Sequence, residues 1–596
     1  MVENSSGTSI LGNFVGTDIT GLAAMPNWSG GGAGSGVTLD NSSYNVVGDG
    51  TDAGRNVFGN NGSGADFPVQ IYIQNNSNYN LVAGNYVGTD STGTSSLGTG
   101  NGIGVYGSVN NQIGLNAGAA ANVIAGNGGD GIILNNADST KVFQNYIGVD
   151  RTGATALPNN NGIVLENGTQ NALIGNNTGS GGNIVSGNSN QGIRIQDVGT
   201  DSNLIIGNLI GTDLSGSTAI PNGNDGIQID GGSANQVGEI GSGNVISGNS
   251  GNGIAIIGNT GISAYNVVLH NLIGVAIDSV TALGNAGNGV FIAGISTFAH
   301  NNEITRNRIA YNTNFGITAD QTGFQVDSDH FFANEIYSNG GGGISLVAGA
   351  HQNVWAPVIT SVDFDSTVSG YSGKNALIQI YADSADQGRI YLDSVYADAS
   401  GNWSIKVPPI PGMYYTAIQD SFFHSSAFSA PVLAIAVDPL LVINTNDAGA
   451  GSLRDAVTYA ESHSGADTIR FAVALDGQSI TLLNPIYFNG DSTTVTGDID
   501  SDFIPDITLV RGASTNWGFA VNGNHNVISH LNFQQFNTAG ILINNGHHNH
   551  IRGNTIGTNM DGSDNTGTGN LWGIQLASSA KYNTIGDTVN AGRNII

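Results

Sequence analysis

Cysteine is absent from this chain of 596 residues. Its absence excludes disulfide bonds, thiol catalysis and cysteine-ligated zinc sites. Basic residues are also scarce, with 15 Lys and Arg against 44 Asp and Glu and a formal net charge of −29 at pH 7. Such a charge repels nucleic acid and anionic membranes, and no basic patch in the sequence offsets it. We therefore expect no nucleic-acid partner, and binding to an acidic polysaccharide only through a bridging cation.

Long apolar runs are missing as well. There is no run of about 18 apolar residues of the kind that spans a membrane, and Met1 is followed by VENSSGTSI rather than by a charged and then apolar leader. We expect neither a signal peptide nor membrane insertion in this segment. The chain starts inside the repeat described below and stops at NAGRNII, where the repeat would continue. We expect it to be part of a longer protein, truncated at both ends.

The sequence repeats itself along most of its length. The phrase GNYVGTDSTG at Gly84 returns as QNYIGVDRTG at Gln144 and as GNLIGTDLSG at Gly207. Its asparagine moves from 85 to 145 to 208, in steps of 60 and 63 residues. A second phrase, NVIAGN at Asn122, returns as NIVSGN 61 residues later. A fixed period predicts an array in which each unit buries its apolar face against its neighbours.

Each long period contains a shorter one, in which Gly is followed by alternating aliphatic residues. The first aliphatic residues are Val37, Ile71, Ile103, Ile132, Ile163, Ile193, Ile227, Ile254, Val290, Ile317 and Ile344. Each unit accommodates three short strands with period-2 alternation, which predicts a right-handed parallel β-helix with the isoleucines from 103 to 254 in one interior column. Gly and Asn accept positive φ at tight corners, which would explain 91 Gly and the recurring Asn.

The composition changes after Leu346. Proline and aromatic residues become frequent, and strands such as ALIQIYAD and GNWSIKV alternate with turns. This pattern predicts a small antiparallel, immunoglobulin-like β-sandwich that acts as a spacer. The predicted domains are 1–351, a parallel β-helix; 352–437, the sandwich; and 438–596, a second parallel β-helix. The predicted fold class is therefore all-β.

The third region opens with the best candidate helix of the chain. In GSLRDAVTYAESHSG, the residues Leu453, Ala456, Val457 and Ala460 share one face, and Ser452 is a suitable N-cap. We expect this helix, near 452–462, to cover the apolar end of the second array.

A family resemblance follows from these phrases. The NxIGTDxxG, NxISGN and GIxI coils, with the entry VINTNDAGAGSLRDAVTYA, resemble large multi-module bacterial surface or secreted proteins with right-handed parallel β-helix repeats. Their linkers look like residues 373–432 here, including DASGNWSI. The resemblance implies an adhesive or structural role. The fold is also similar to that of pectate lyases, polygalacturonases and alginate epimerases, which keeps a carbohydrate-active enzyme open as the alternative.

One set of candidate residues lies in the GTDxxG loops. Asp18, Asp90, Asp150 and Asp213 share one angular position, with Asn559 as their equivalent in the second array. They recur every second coil, about 10 Å apart, which is too far for two carboxylates to share one Ca²⁺. Two interpretations remain open: Asx-type turns that bind their own backbone, and a repetitive ridge that contacts glycans.

A candidate calcium site lies in GDIDSDFIPDI. Asp498, Asp500, Asp502 and Asp506 occupy positions 1, 3, 5 and 9 of a cation loop. Phe503 replaces the usual Gly, and position 12 is not acidic, so the match is partial. The alternative is an acidic turn in solvent. No cofactor is required under either interpretation.

Charged residues are concentrated late in the first array. Glu303, Arg306, Arg308, His330 and Glu335 fall within two coils. Arg, His and carboxylates together could serve a lyase or glycosidase. Since the coil spacing here is 27 residues, Arg308 should stack on Glu335 and Glu303 on His330. We expect ordinary cross-strand charge pairs on the outer surface.

Three histidines occur together in HHNHI. His547, His548 and His550 could suggest a metal site. On a strand, His548 and His550 would share one face and His547 would face away. We expect a turn and strand with exposed histidines instead.

The sequence thus favours an extracellular or surface scaffold or adhesin segment without catalytic residues, which contacts polysaccharide or copies of itself weakly and at many sites. The alternative is a polysaccharide lyase or glycoside hydrolase that uses Glu303, Arg308, His330 and Glu335.

Overall fold

The computed structural model describes residues 1–27, 34–61, 68–115, 120–176, 182–363, 367–408, 410, 412–433, 438–463, 465–563, 567–589 and 592–596. The chain divides into two compact units, Met1–Ala434 and Ile435–Ile596. The predicted boundary at residue 437 lies outside the described residues. Within these ranges, no helix has the length and apolar character that a membrane span needs.

Three long parallel sheets form most of the first unit. They contain 12, 11 and 11 strands, and each coil of the chain contributes one strand to each sheet. The first sheet consists of Val2–Glu3, Ser35–Asp40, Val69–Gln74, Asn101–Tyr106, Ile132–Asn135, Ile163–Glu166, Ile193–Gln196, Ile227–Asp230, Ile254–Gly258, Val290–Gly294, Phe315–Asp320 and Gly342–Val347. The predicted parallel β-helix is therefore confirmed.

The other two long sheets have shorter strands. The second sheet consists of Ser9–Ile10, Val46–Val47, Leu81–Val82, Gln112–Ile113, Lys141–Val142, Leu173–Ile174, Leu204–Ile205, Gln236–Val237, Val267–Leu269, Glu303–Thr305 and His330–Phe332. The third consists of Phe14–Val15, Val57–Phe58, Tyr86–Val87, Asn122–Ile124, Asn145–Ile147, Ile184–Val185, Leu209–Ile210, Val245–Ile246, Leu272–Ile273, Arg308–Ala310 and Glu335–Tyr337. A small parallel sheet joins Ser263–Ala264, Ala299–His300 and Val326–Asp327.

The interior column has the predicted register. Ile103 pairs with Ile132, and each isoleucine of the column pairs with the next up to Ile254. All six side chains are fully buried. Each buried aliphatic side chain contributes roughly 1.5–3 kcal/mol through removal of apolar surface from water.

The recurring asparagines form buried ladders, and the prediction that they adopt positive φ at corners is wrong for the NVIAGN-type phrases, whose asparagines have negative φ. In a ladder, the backbone N–H and the side-chain amide of one asparagine donate to Oδ1 of the asparagine in the next coil, as for Asn244 to Asn271 at 3.0 and 2.9 Å. The longest ladder consists of Asn13, Asn56, Asn85, Asn122, Asn145, Asn183, Asn208, Asn244, Asn271, Asn307 and Asn334. A ladder satisfies buried backbone N–H groups where the chain bends between strands.

Two antiparallel sheets follow within the first unit. One contains Val358–Val362, Thr367–Tyr371 and Asn402–Lys406, and the other contains Leu377–Asp383, Ile390–Tyr396, Tyr414–Ser421, His424–Ser425 and Val432–Leu433. We call residues 358–433 the sandwich; its immunoglobulin-like character stays a prediction. A short 3-10 helix, Ala350–Asn353, precedes it. Tyr381 and Ile418 of the sandwich belong to the same buried cluster as the coil interior, so the sandwich covers the last coil.

The second unit contains the predicted helix, Leu453–Ser462. The Ser452 hydroxyl accepts a hydrogen bond from the backbone N–H of Asp455 at 3.2 Å, and Leu453, Ala456, Val457 and Ala460 are buried. Both the cap and the buried face are as predicted.

Three parallel sheets form the rest of this unit, and the strand Leu441–Val442 precedes the helix. They consist of Leu441–Val442, Asp467–Phe471, Thr493–Thr496, Val527–Ser529, His550–Arg552 and Thr584–Ile585; of Ser479–Leu482, Ile507–Arg511, Leu531–Gln534 and Thr555–Ile556; and of Ile486–Phe488, Trp517–Val521, Ala539–Asn544 and Trp572–Ala577. A 3-10 helix spans Val473–Leu475. The second unit is therefore a shorter parallel β-helix.

Candidate functional site

The GTDxxG aspartates close their own loops. Oδ1 of Asp18 accepts hydrogen bonds from the backbone N–H groups of Leu22 at 3.0 Å and Ala23 at 3.2 Å, and from the Thr20 hydroxyl at 2.8 Å. The Thr20 hydroxyl and these N–H groups outweigh the effect of partial burial and lower the pKa of Asp18. Asp90, Asp150 and Asp213 accept equivalent bonds. The Asx-turn interpretation is confirmed for these four positions.

Successive GTDxxG loops contact each other directly. The backbone N–H of Arg151 donates to the carbonyl of Gly93 at 3.0 Å, and that of Leu214 donates to Gly153 at 3.0 Å. A fifth loop continues the series with a bridge between Val275 and Ala282. The motif did not reveal this loop because the aspartate position holds Ala276.

Asn559 has the equivalent place in the second unit. Its carbonyl accepts from the N–H of Gly562 at 3.0 Å, and its amide donates to the Ser563 hydroxyl at 3.1 Å. The turn is therefore retained with an amide in place of the carboxylate.

The predicted cation loop brings three of its four aspartates together. Asp498, Asp500 and Asp506 each offer an oxygen, and these atoms lie within 4.8 Å of one another. Asp502 lies outside this group, and its carboxylate accepts from the N–H of Ile504 at 2.7 Å. Burial, reinforced by the charge of Asp500, raises the pKa of Asp506. The three oxygens suit a hard cation such as Ca²⁺.

The predicted charge pair is present near the end of the first array. Arg308 and Glu335 are register partners on adjacent coils. Nε and Nη2 of Arg308 lie 2.7 and 2.5 Å from Oε2 of Glu335, and Nη1 donates to the carbonyl of Ser279 at 2.9 Å. Glu335 is thus held by an arginine rather than poised as a free base.

The second predicted pair gains a partner that the sequence pattern did not indicate. Glu303 and His330 are register partners, but Nε2 of His330 lies 3.1 Å from Oδ2 of Asp420 in the sandwich. Oδ2 of Asp420 also accepts from the Ser425 hydroxyl at 3.1 Å. His330 therefore belongs to the junction between coil and sandwich.

A cleft at this junction contains an unexpected concentration of positive charge. Its volume is about 460 Å³, and its lining includes His270, Arg306, Arg308, Glu335 and Tyr391. Tyr391 belongs to the sandwich and the other four to the coils. Since Glu335 pairs with Arg308, Arg306 is the lining arginine that has no carboxylate partner among the described residues.

The histidines of HHNHI form the expected turn and strand rather than one strand face, with His548 exposed and His547 and His550 half-buried. His548 has a left-handed backbone with φ 58°, and the strand begins only at His550. Nδ1 of His547 accepts from the N–H of Lys581 at 3.1 Å. Among the described residues, the one convergent group of three or more potential metal ligands is that of Asp498, Asp500 and Asp506.

Aromatic rings occupy one corner of the coils in both units. The rings of Tyr44 and Tyr79 stack at 5.1 Å between centroids. In the second unit, the His548 ring stacks between His525 and Tyr582, at 5.1 Å from each. We call these two stacks the corner columns. Each ring directly precedes a ladder asparagine, as YN or HN, so this dipeptide is the signal that could have predicted the columns.

No protein-family model matches the chain, and no curated protein matches it. Similar solved structures include the A-module of the Azotobacter vinelandii mannuronan C-5 epimerase AlgE4, with 15% identity, 52% of this chain and 74% of that chain covered and a TM-score of 0.32. A second is the Dettilon tailspike protein gp208, with 16% identity, 72% of this chain and 84% of that chain covered and a TM-score of 0.36. A third is the surface protein and adhesin PfbA of Streptococcus pneumoniae, with 12% identity, 56% of this chain and 84% of that chain covered and a TM-score of 0.31. These values assign no activity to this chain.

Proposed function

We propose that the chain is a scaffold segment, outside the cell or at its surface, whose repeated faces make weak and multivalent contact with carbohydrate. The observation that carries this proposal is the pair of corner columns. Tyr44 and Tyr582 are 63% and 76% exposed, so much of their ring surface meets solvent. The C–H faces of sugar rings pack favourably on aromatic surface, and weak contacts at several sites of one chain add through avidity.

Polar groups lie beside both columns. In the second unit, a cavity of about 340 Å³ is lined by Asp491, Asn524 and Lys581 together with the column rings. In the first unit, a cavity of about 450 Å³ next to Tyr79 is lined by Gln112 and Lys141. Both volumes lie in the range of small-molecule sites, roughly 300–1,000 Å³. Hydrogen-bonding groups beside an aromatic surface suit a polyhydroxylated ligand.

The enzyme alternative has less support. Glu335 is engaged by Arg308, His330 faces Asp420, and the GTDxxG aspartates bind their own loops. A general acid or base must reach a substrate proton, and these groups already serve packing. Self-association of the chain remains the second proposed kind of contact. The chain needs no cofactor under this proposal.

Affinity electrophoresis in gels that contain neutral or acidic polysaccharides tests the proposal. We expect retardation of the wild-type chain and a smaller retardation for Tyr582→Ala and for Tyr44→Ala. Tyr396→Ala is the matched control, because this ring is 71% exposed but lies in the sandwich. The proposal fails if no polysaccharide retards the chain, or if the control and the column variants behave alike.

A further inference from the structure

The junction cleft concentrates cations in a strongly acidic protein. The chain has 15 Lys and Arg in 596 residues, yet Arg306 and Arg308 line the same cleft. Arg389, which the sandwich contributes, lies over the ring of the neighbouring Tyr337, 5.0 Å from its centroid.

Two of these three arginines have no carboxylate partner among the described residues. Arg308 is neutralised by Glu335 and anchored on Ser279. The guanidinium of Arg306 lies 5.8 Å from the centroid of the Phe332 ring. Within the described parts of the chain, neither Arg306 nor Arg389 forms an ion pair with a carboxylate. The cleft therefore has excess positive charge at an exposed edge.

The remaining walls offer both donors and acceptors. Burial, together with the charge of Arg306, lowers the pKa of His270, so its imidazole stays neutral at neutral pH and can donate or accept a hydrogen bond. Both bonds from Arg308 go to Oε2 of Glu335, which leaves Oε1 as an acceptor. The Tyr391 ring packs against Phe332 and Tyr381, with centroids 5.8 and 5.5 Å apart, and gives the cleft an aromatic wall.

We propose that the junction cleft binds an acidic saccharide unit, with its carboxylate at Arg306, its hydroxyls at Glu335 and His270, and its ring against Tyr391. This inference rests on the proposed carbohydrate contact and adds a charge preference and a place to it. Inorganic sulfate has no hydroxyl donor for Glu335, whereas a sugar acid satisfies both the cations and the acceptors. Arg389 adds positive potential at the edge of the cleft.

Isothermal titration calorimetry with trigalacturonate and with neutral galactotriose tests this proposal on the full chain. We expect about tenfold tighter binding of the acidic trisaccharide, weakened by added NaCl, since loss of one charge-assisted hydrogen bond changes affinity by about that factor. Arg306→Gln should remove most of the preference, and Arg389→Gln should reduce it. Arg470→Gln is the matched control, because Arg470 is an exposed arginine of the second unit.

The outcomes separate this inference from the proposed function. Equal binding of both trisaccharides, unchanged in Arg306→Gln, overturns the acidic-saccharide site and leaves the general carbohydrate contact standing. Inorganic sulfate that competes as well as trigalacturonate does at equal concentration also overturns it, since the site would then recognise charge alone. If neither trisaccharide binds and no polysaccharide retards the chain in gels, both proposals fail. A thermal unfolding curve of each variant that matches the wild type excludes misfolding as the cause.

Discussion

Gln387 of the sandwich takes the place of the next asparagine above Asn339. Its Oε1 accepts the backbone N–H and the side-chain amide of Asn339 at 3.1 and 3.3 Å, and its Nε2 donates to the carbonyl of Asn339 at 3.0 Å. Gln379 acts similarly on the backbone of Phe331 and Ala333. The sandwich therefore ends the asparagine ladder at Asn339 with a side-chain amide, binds the backbone of the last coil with a second, and covers the apolar end of the coil.

Replacement of Gln387 tests this capping role. Gln387→Ala leaves the buried N–H and amide of Asn339 without their acceptor, so we expect the free energy of unfolding of the first unit to fall by about 1–3 kcal/mol. Chemical denaturation followed by circular dichroism measures the change. Gln352→Ala is the control, because this glutamine is exposed next to the same junction. Equal stability of the two variants would contradict the capping role.

A second prediction concerns the buried pair of His351 and Asp329. Burial alone would lower the pKa of His351, but the hydrogen bond and charge of Asp329, 3.3 Å away, outweigh it and raise that pKa above 6.5. The resulting stabilisation is fully present below the unfolded-state pKa and is lost as the pH rises through the folded-state pKa. We expect the free energy of unfolding to decline on the alkaline side of about pH 6.5.

The neighbouring His424 has the opposite effect on the pH dependence of stability. Burial and the charge of His351 lower its pKa, so its contribution is present above pH 6.5 and is lost as the pH falls through the folded-state pKa. Denaturation of the wild type and of His351→Gln between about pH 5 and 9 tests both effects: the variant should lose the alkaline decline, and its acid-side decline should be smaller but not abolished, because burial still lowers the pKa of His424 when the charge of His351 is gone. Identical pH profiles for both proteins would show that His351 does not couple folding to protonation.

The regular coils could be predicted because each coil repeats the same local sequence pattern. The isoleucine register and the Ser452-capped helix follow from local period and local propensity. The ladder asparagines were wrongly expected to adopt positive φ, since Asn also favours that conformation and the sequence alone does not distinguish the two uses. An asparagine that recurs at a fixed spacing is compatible both with a buried side-chain amide and with a left-handed turn.

The junction was not predictable from local pattern. Gln387, Arg389, Tyr391 and Asp420 reach the last coils only because the sandwich folds back on them. No periodicity connects these residues with Arg306 or His330. Identification of the junction cleft therefore requires the tertiary structure, whereas the Arg308–Glu335 pair could be predicted from the spacing of one coil.

A third prediction concerns the acidic loop before the later coils of the second unit. We expect Asp498, Asp500 and Asp506 to bind Ca²⁺ weakly, since a cation would relieve the repulsion that, with burial, raises the pKa of Asp506. Calorimetric titration should give a binding isotherm that Asp500→Asn weakens. Asp502→Asn is the matched control, because its carboxylate lies outside the group. Absence of heat at millimolar Ca²⁺ would remove the site.

The central claim is that the chain binds carbohydrate without transforming it. The most direct measurement follows one incubation with alginate, pectin and xylan by two readouts: polysaccharide retained on immobilised protein, and sugars released into solution as unsaturated or reducing ends. We predict retention that decreases in Tyr582→Ala and Arg306→Gln, with no release above the protein-free blank. Release of unsaturated or reducing sugars that Glu303→Gln or Glu335→Gln abolishes would contradict the account and establish the enzyme.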